Sequence, residues 1–267
     1  MTAKPVVLAA VAHPDDIEFM MAGTLLRLKQ AGAEIHLWNL ANGCCGTAEH
    51  DREEIIRLRW AESQASARVA GGTAHPPLAD DIGLFYDQAL LAAAAAVVRR
   101  VRPTIVLTQS PQDYMEDHQN ACRLVVSATF VRGMRNFRSA PEVAPYDGEA
   151  VVYHALPHGL RDGLRKFVRS GQFVDIAPVL ATKRAMLACH ATQKRWLDVS
   201  QGMDAYLTEM ESMSAAVGKQ SGRFTYAEGW RRHSHLAFSA EGRDPLSELL
   251  GSACVIDAAY EKSLETP

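Results

Sequence analysis

The sequence predicts an α/β fold in which a mostly parallel sheet carries helices on both faces and is followed by a C-terminal helical extension. Apolar, β-branched segments alternate with helical stripes over roughly the first two-thirds of the chain, which is typical of strands joined by crossover helices. A length of 267 residues with 48% hydrophobic content is enough to bury one such core. We therefore expect a single Rossmann-like domain over residues 1–267, with residues 168–267 packed on the same core.

The individual elements follow from periodicity and from turn residues. Strands are expected at four apolar segments: Val6–Ala10, Glu34–Leu40, Thr104–Thr108 and Ala150–Leu156. Three helical stripes lie between them. The first runs from Ile17 to Leu28 and ends at Gly32, the second runs from Leu58 to Val69 and ends at Gly71-Gly72, and the third runs from Leu90 to Val101. After His154 the alternation weakens. A short apolar run at Gln172–Ile176 is followed by helices over about residues 178–193 and 204–217.

The first predicted strand ends in an acidic turn, Ala12-His13-Pro14-Asp15-Asp16, directly before a helix. A dinucleotide-binding fold has glycines at this corner to admit a phosphate, whereas acids repel phosphate and attract a cation. His13 and Asp16 can face one point across the turn, so we predict that both bind a divalent metal. Asp15 then points elsewhere and is available to accept a proton. The alternative is that the two acids only cap the helix.

A second polar loop follows the strand at Thr104–Thr108 and ends in Asp117-His118 before another helical pattern. Loops at the carboxyl ends of parallel strands share one crevice, so His118 is predicted as the third metal ligand. Asp117 is predicted to orient a ligand from the second shell, because neighbouring side chains seldom both reach one ion. Taken alone, the loop would be interpreted as a set of solvated acids.

With these residues in view, the chain resembles the PIG-L, or LmbE-like, family of zinc-dependent de-N-acetylases. The first motif matches the family's A-H-P-D-D in full. The second matches in part: where the family has H-P-x-D-x-H-x-D-H, residues 110–118 are S-P-Q-D-Y-M-E-D-H, with Ser110 and Met115 in place of two histidines. Weaker similarities cover most of the chain, at Gly43–Gly46, Arg59–Glu62, Asp175-Ile176, Lys183, His190–Gln193 and Tyr226–Glu228.

The resemblance implies a hydrolase that removes an N-acetyl group from an amino sugar or a glucosaminyl conjugate by metal-activated water. It implies Zn²⁺ as the cofactor, with Fe²⁺ as the alternative because His-Asp-His ligation suits both ions. Asp15 would be the catalytic base. Arg59, Tyr114 and His190 are expected to contact the substrate.

Structural interpretations remain open for two of these residues. Arg59 lies on a helix with other charged residues, a composition that is also typical of a solvated face. A lone histidine inside a helix, such as His190, is more often a hydrogen-bonded structural group. The family histidine replaced by Met115 assists at the oxyanion or the leaving group, and methionine cannot donate a proton. Its substitute is left open among four residues: Tyr114, His154, His158 and His190.

Composition restricts the partners. A net charge of −3 argues against nucleic acid as the main partner. The longest apolar stretch, Ala89–Val98, is closed by two arginines and is too short to span a membrane. The five cysteines show no C-x-x-C spacing, so a disulfide framework is not expected. We expect a cytoplasmic protein that acts on a small N-acetylated sugar or glycoconjugate, binds neither nucleic acid nor membrane, and can form oligomers.

Two other functions compete with the hydrolase. A receiver-like signalling domain also has paired acids after its first strand, but it has roughly half this length and no use for His13 together with Asp117-His118. A catalytically silent sugar-binding relative is suggested by Ser110 and Met115. Retention of Asp15 argues against silence, because binding alone needs no proton acceptor.

Overall fold

The computed structural model describes residues 4–195 and 205–265. The strands in these ranges are β1 Val6–Val11, β2 Glu34–Asn39, β3 Thr73–His75, β4 Ile105–Thr108, β5 Val151–Ala155, β6 Gln172–Asp175, β7 Ala227–Arg232 and β8 Cys254–Ile256. The α-helices are α1 Asp16–Met20, α2 Ala22–Gln30, α3 Arg52–Ala70, α4 Gln88–Val101, α5 Glu116–Phe130, α6 Leu180–Ala188, α7 Ala205–Ser221, α8 Pro245–Leu250 and α9 Ala258–Leu264. The predicted α/β class is confirmed.

The first five strands form the parallel half of one sheet, whose full order is β3-β2-β1-β4-β5-β7-β6-β8. Parallel pairs join β1 to β2 and β4, β2 to β3, and β4 to β5. The order 3-2-1-4-5 is that of a doubly wound dinucleotide-type sheet, whereas receiver domains have the order 2-1-3-4-5. The receiver alternative is therefore wrong. The direction of winding reverses between β1 and β4, and ligands bind at such a reversal in open α/β sheets.

Helices cover both faces of the sheet, as predicted. Along β1, Val7 and Ala9 pack into one apolar cluster with α1, α2, α6 and α7, while Leu8 and Ala10 pack into another with α4 and α5. This alternation follows from the two-residue period of a strand. Among the described helices, none combines the length and the apolarity needed to cross a membrane.

The predicted C-terminal extension contains strands as well as helices. Strands β6, β7 and β8 continue the same sheet in antiparallel pairs, with β7 next to β5. The sequence of β7, Ala-Glu-Gly-Trp-Arg-Arg, lacks the apolar alternation of a typical strand. Tertiary partners stabilise it instead: Trp230 is fully buried and donates its indole N–H to Thr24 Oγ1 at 2.9 Å. The single domain over residues 1–267 stays a prediction.

The predicted helix from Ile17 to Leu28 is divided at Met21, whose φ of −147° and ψ of −7° lie outside the helical region. The Glu228 carboxylate accepts two N–H groups in the first turn of α2, at 2.8 and 2.6 Å. The Lys183 ammonium donates to the carbonyl of Phe19 in α1 at 3.0 Å and to Glu228 at 2.6 Å. A buried ion pair thus satisfies backbone groups on both sides of the break, which a periodicity argument cannot foresee.

Replacing Glu228 by glutamine is expected to lower the free energy of unfolding by about 3 kcal/mol, because Lys183 would keep a buried charge without a counter-charge. Urea unfolding measures this change. The matched control is Glu211→Gln, which removes a partly exposed ion pair with Arg184 (2.8 Å) and should cost less than about 1 kcal/mol. Equal losses in the two variants would contradict the assignment.

Candidate active site

The turn after β1 brings three polar side chains to the crevice beside β4. Asp15 precedes α1 with a φ of 100°, in the left-handed region, and its side chain makes no capping hydrogen bond. Asp16 Oδ2 accepts the N–H of His13 at 2.7 Å and the side-chain amide of Gln109 at 2.9 Å. The helix-capping alternative for these acids is therefore wrong. Strained backbone of this kind is concentrated at functional sites.

His118, near the start of α5, completes a cluster with His13 and Asp16. Nδ1 of His13 lies 3.6 Å from Oδ2 of Asp16, and Nε2 of His118 lies 3.4 Å from Oδ1 of the same carboxylate. One donor atom from each residue lies within 4.8 Å of the other two. The structure thus brings together the three predicted ligands. Two imidazoles and a carboxylate are a donor set that suits Zn²⁺ or Fe²⁺.

Each imidazole of the cluster also contacts a carboxylate through its other ring nitrogen. Asp117 Oδ2 lies 3.0 Å from Nε2 of His13, and Asp113 Oδ1 lies 3.0 Å from Nδ1 of His118. In metal sites such carboxylates fix the orientation of the ring and increase its basicity. The position of Asp117 is therefore that of a carboxylate that orients the His13 ring. The sequence analysis missed Asp113, although it is an acid of the same motif.

The carboxylates around the cluster favour the charged form of both histidines. Burial opposes a charge on His13, but hydrogen bonds to Asp117 and Asp16 outweigh it and raise the pKa of His13 to about 10. Burial likewise opposes a charge on His118, yet Asp16 and Asp113 raise its pKa. Burial alone would raise the pKa of Asp16, whereas the two histidines lower it. A metal that binds here must therefore displace protons.

Asp15 faces a different set of groups. Its Oδ2 accepts the hydroxyl of Tyr206 at 2.7 Å and lies 3.6 Å from Nη2 of Arg59. Burial raises the pKa of Asp15, and the guanidinium of Arg59 opposes that rise. Arg59 is only 3% exposed and donates to the Pro14 carbonyl at 2.6 Å, so the solvated-face alternative is wrong. Tyr206 carries no motif, and sequence reasoning missed it.

These side chains line a cavity of about 380 Å³, a volume suited to a small organic ligand. Its wall includes six residues that the sequence singled out as site residues: His13, Asp15, Asp16, Arg59, Tyr114 and His118. It also includes Met115 and the candidate donor His158, as well as residues that the sequence did not single out, among them Phe19, Ile82 and Tyr206.

Other singled-out residues lie elsewhere. His190 is fully buried, does not line this cavity, and has Nε2 3.3 Å from Oε2 of Glu18. His154 is also buried and contacts the backbone carbonyl of Gln109 at 3.0 Å. Of the four candidates for the missing proton donor, Tyr114 and His158 reach the cavity.

The two departures from the family motif have different surroundings. Ser110 is fully buried, accepts a hydrogen bond from Arg231 at 2.7 Å and donates to the Gln112 carbonyl at 2.8 Å. Met115 lines the cavity. The serine therefore belongs to the support of the loop, and only the methionine changes the chemistry of the wall.

A second group of donor atoms comprises Cys44, Cys45 and Asp81. Both oxygens of Asp81 accept backbone N–H groups, from Gly43 at 2.7 Å and from Cys45 at 2.9 Å. Burial raises the pKa of the Cys44 thiol to about 11. Because metals bind the thiolate rather than the thiol, these contacts describe a turn held by Asp81 better than a metal site.

Replacing Asp113 by asparagine is expected to weaken zinc binding by about 10- to 100-fold, because the carboxylate that orients His118 is lost. Calorimetric titration of metal-free protein with zinc measures the affinity. Asp80→Asn is the control, since Asp80 contacts the side chains of Arg52 and Asn42 away from the cluster. Unchanged zinc affinity in the Asp113 variant would contradict the role of this carboxylate.

Zinc affinity is also expected to rise with pH. Because the pKa of His13 is raised to about 10, the proton is bound at neutral pH and must leave when metal binds. The apparent affinity should therefore increase about tenfold per pH unit for each proton released, and level off above the pKa. Titrations in buffers of different ionisation enthalpy count the released protons. Affinity that does not change between about pH 6 and pH 8 would rule out this competition.

Sequence comparison finds relatives with two kinds of activity in their names. Residues 8–129, which contain both motif loops, match the family model described as PIG-L: GlcNAc-PI de-N-acetylase. A diacetylchitobiose deacetylase of Thermococcus kodakarensis is 29% identical over 232 residues, which cover 84% of this chain and 82% of the relative. A 4-oxalmesaconate hydratase of Pseudomonas putida is 25% identical over 201 residues, which cover 72% of this chain and 76% of the relative.

Structural comparison finds the same architecture. The N,N'-diacetylchitobiose deacetylase from Pyrococcus horikoshii superposes with a TM-score of 0.73 at 21% identity, over 92% of this chain and 89% of that structure. This likeness confirms the fold. The family match over residues 8–129 confirms the resemblance that the two motifs predict: this part of the chain is similar to the PIG-L, or LmbE-like, de-N-acetylases.

Proposed function

We propose that this protein is a metal-dependent N-deacetylase that hydrolyses the acetamide of an N-acetylated amino sugar or glycoconjugate. The observation that carries the proposal is the convergence of His13, Asp16 and His118 from two strand ends, with Asp15 in the same cavity. The names of two relatives give diacetylchitobiose, an N-acetylated sugar, as their substrate.

His13, Asp16 and His118 would hold the ion, with zinc as the proposed metal and ferrous iron as the alternative. When bound, the ion supplies Lewis acidity, which lowers the pKa of a coordinated water and polarises the amide carbonyl. Asp117 and Asp113 hold the two imidazoles in the orientation that directs one nitrogen of each toward Asp16.

Asp15 is the proposed general base and proton carrier. Tyr206 and Arg59 occupy Oδ2, and Oδ1 has no hydrogen-bond partner among the described residues. That oxygen is available to take a proton from water and to pass it to the departing amine. The raised pKa of Asp15 supports this role, since a carboxylate with an ordinary pKa is a weak base near neutral pH.

Substrate contacts are assigned to Arg59 and Tyr114, which line the cavity. Tyr114 and His158 are the proposed donors that replace the family histidine at Met115, because both reach the cavity. His190 would act on Asp15 only through its charge, which lowers the pKa of Asp15 from within the core.

A hydratase is the second candidate, favoured by the Pseudomonas putida relative and by the missing motif histidines. The charge of the cavity argues against it. Asp15, Asp16, Asp81 and Glu209 line the wall, and Arg59 together with the two positive charges of the imidazolium groups or of a bound divalent ion does not fully balance these four carboxylates. Such a wall repels the carboxylates that the name of that relative implies, whereas an uncharged acetamide sugar meets no such repulsion.

The Asp15→Asn variant, loaded with zinc, is expected to lose at least about 100-fold in kcat for release of amine from N,N'-diacetylchitobiose, because the proton acceptor is gone. Its zinc affinity should stay close to that of the unaltered protein, since asparagine still accepts the Tyr206 hydroxyl. Amine release and zinc titration are measured on the same preparation. Glu209→Gln, on the exposed part of the wall, is the matched carboxylate control.

Three outcomes would contradict the proposal. Full activity of Asp15→Asn would show that Asp15 is not the general base. Zinc binding without amine release from any N-acetylated sugar would favour a silent binding protein. Addition of water to an unsaturated acid, in place of amine release, would favour the hydratase.

A further inference from the structure

We infer that the substrate of this cavity carries an apolar substituent that packs on the side chains of Ile82 and Tyr114. The inference rests on the proposed deacetylase function and narrows its substrate class. The loop residue Ile82 has a backbone conformation that a β-branched side chain disfavours.

The backbone of Ile82 is in the left-handed region, with a φ of 59°. For a β-branched residue this is a genuine outlier, because the side chain crowds the backbone. The conformation directs the N–H of Ile82 to Oδ2 of Asp117 at 2.6 Å. The same oxygen lies 3.0 Å from Nε2 of His13. The strained backbone therefore has a use, which is to hold the carboxylate that orients a proposed metal ligand.

That use explains the backbone of Ile82 but not its side chain. Glycine or asparagine would adopt the same conformation with less strain and would offer the same N–H. The isoleucine side chain gains little from packing, because the residue is 65% exposed while it lines the cavity. Strain and exposure both cost free energy, and the hydrogen bond to Asp117 uses only the backbone N–H of Ile82. Contact with a ligand is the remaining use.

Further apolar side chains line the same cavity as Ile82. Tyr114 is 51% exposed, and its ring centroid lies 5.8 Å from that of His118, so it stands beside the reacting centre. Met115, Phe19 and the side chain of Ala205 also line the cavity.

The same wall carries the polar groups of Asp15, Arg59 and Gln193. A ligand that contacts both sets has a polar, sugar-like part and an apolar part. Burial of exposed aliphatic and aromatic surface by the apolar part would contribute to binding in proportion to the area covered.

The apolar part has two chemical sources, a longer acyl chain on the amide nitrogen or an aglycone on the sugar. Three glucosamine derivatives distinguish them: methyl N-acetylglucosaminide, phenyl N-acetylglucosaminide and methyl N-hexanoylglucosaminide. With zinc-loaded protein, we expect one of the two apolar derivatives to exceed the methyl N-acetyl compound by about tenfold or more in kcat/KM. The derivative that does so identifies the source.

The variant that tests the residue is Ile82→Asn, which keeps the N–H to Asp117 and tolerates the left-handed backbone. We expect the ratio of kcat/KM between the preferred apolar derivative and the methyl N-acetyl compound to fall toward one. The Tm should not fall, because strain is relieved. Phe85→Ala is the matched control: Phe85 is 63% exposed, lies in the same loop and does not line the cavity. It should leave the ratio unchanged.

Equal kcat/KM values for the three compounds would overturn the inference and leave the proposed deacetylase intact. If none of them releases amine, calorimetric titration with the same compounds decides: tighter binding of an apolar derivative supports the inference, and equal or undetectable affinities overturn it. A lower Tm in Ile82→Asn would show that the isoleucine stabilises the fold, which also overturns the inference.

Discussion

The candidate site depends on the alignment of two strand ends, and one side chain, Gln109, fixes it. The strands are in parallel register up to Ala10 and Thr108. One residue beyond β4, the Gln109 amide accepts the N–H of Ala12 at 2.9 Å and donates to Asp16 at 2.9 Å. The amide is buried and uses both its oxygen and its nitrogen. A shift of one strand against the other would break both bonds and separate Asp16 from His118.

The family match ends at residue 129, but the corner it contains is supported from far outside that range. Lys183 and Glu228 satisfy the backbone on both sides of the break between α1 and α2, and Tyr206 holds Asp15. Helix α1, which begins with Asp16, has only five residues. Such a helix is not stable by itself, so its position is set by these tertiary contacts.

The sequence predicted the parts of the site that depend on local order. Parallel strands bring their carboxyl ends to one edge, so an acidic turn after one strand and Asp117-His118 after another had to be neighbours. It could not predict contacts made by residues distant along the chain. Tyr206 lies in a helix whose pattern indicates only core packing. The segment Tyr226–Glu228 is a weak similarity to the family, but β7 lacks apolar alternation, so neither its place in the sheet nor the contacts of Glu228 follow from the pattern. His190 has a motif-like setting, yet its burial shows only in three dimensions.

Charge compensation links the acids and the imidazoles of the cluster, and its three carboxylates exceed the available positive charges by one. Asp16, Asp113 and Asp117 are each less than a tenth exposed, and buried carboxylates require compensation. Two imidazolium groups supply two positive charges, and a divalent ion bound to neutral imidazoles supplies the same two. Protons and metal are thus electrostatically interchangeable here, which is why the carboxylates raise the pKa values of both histidines. Asp15 is balanced separately by Arg59, so the exchange of protons for metal leaves its contacts with Arg59 and Tyr206 in place.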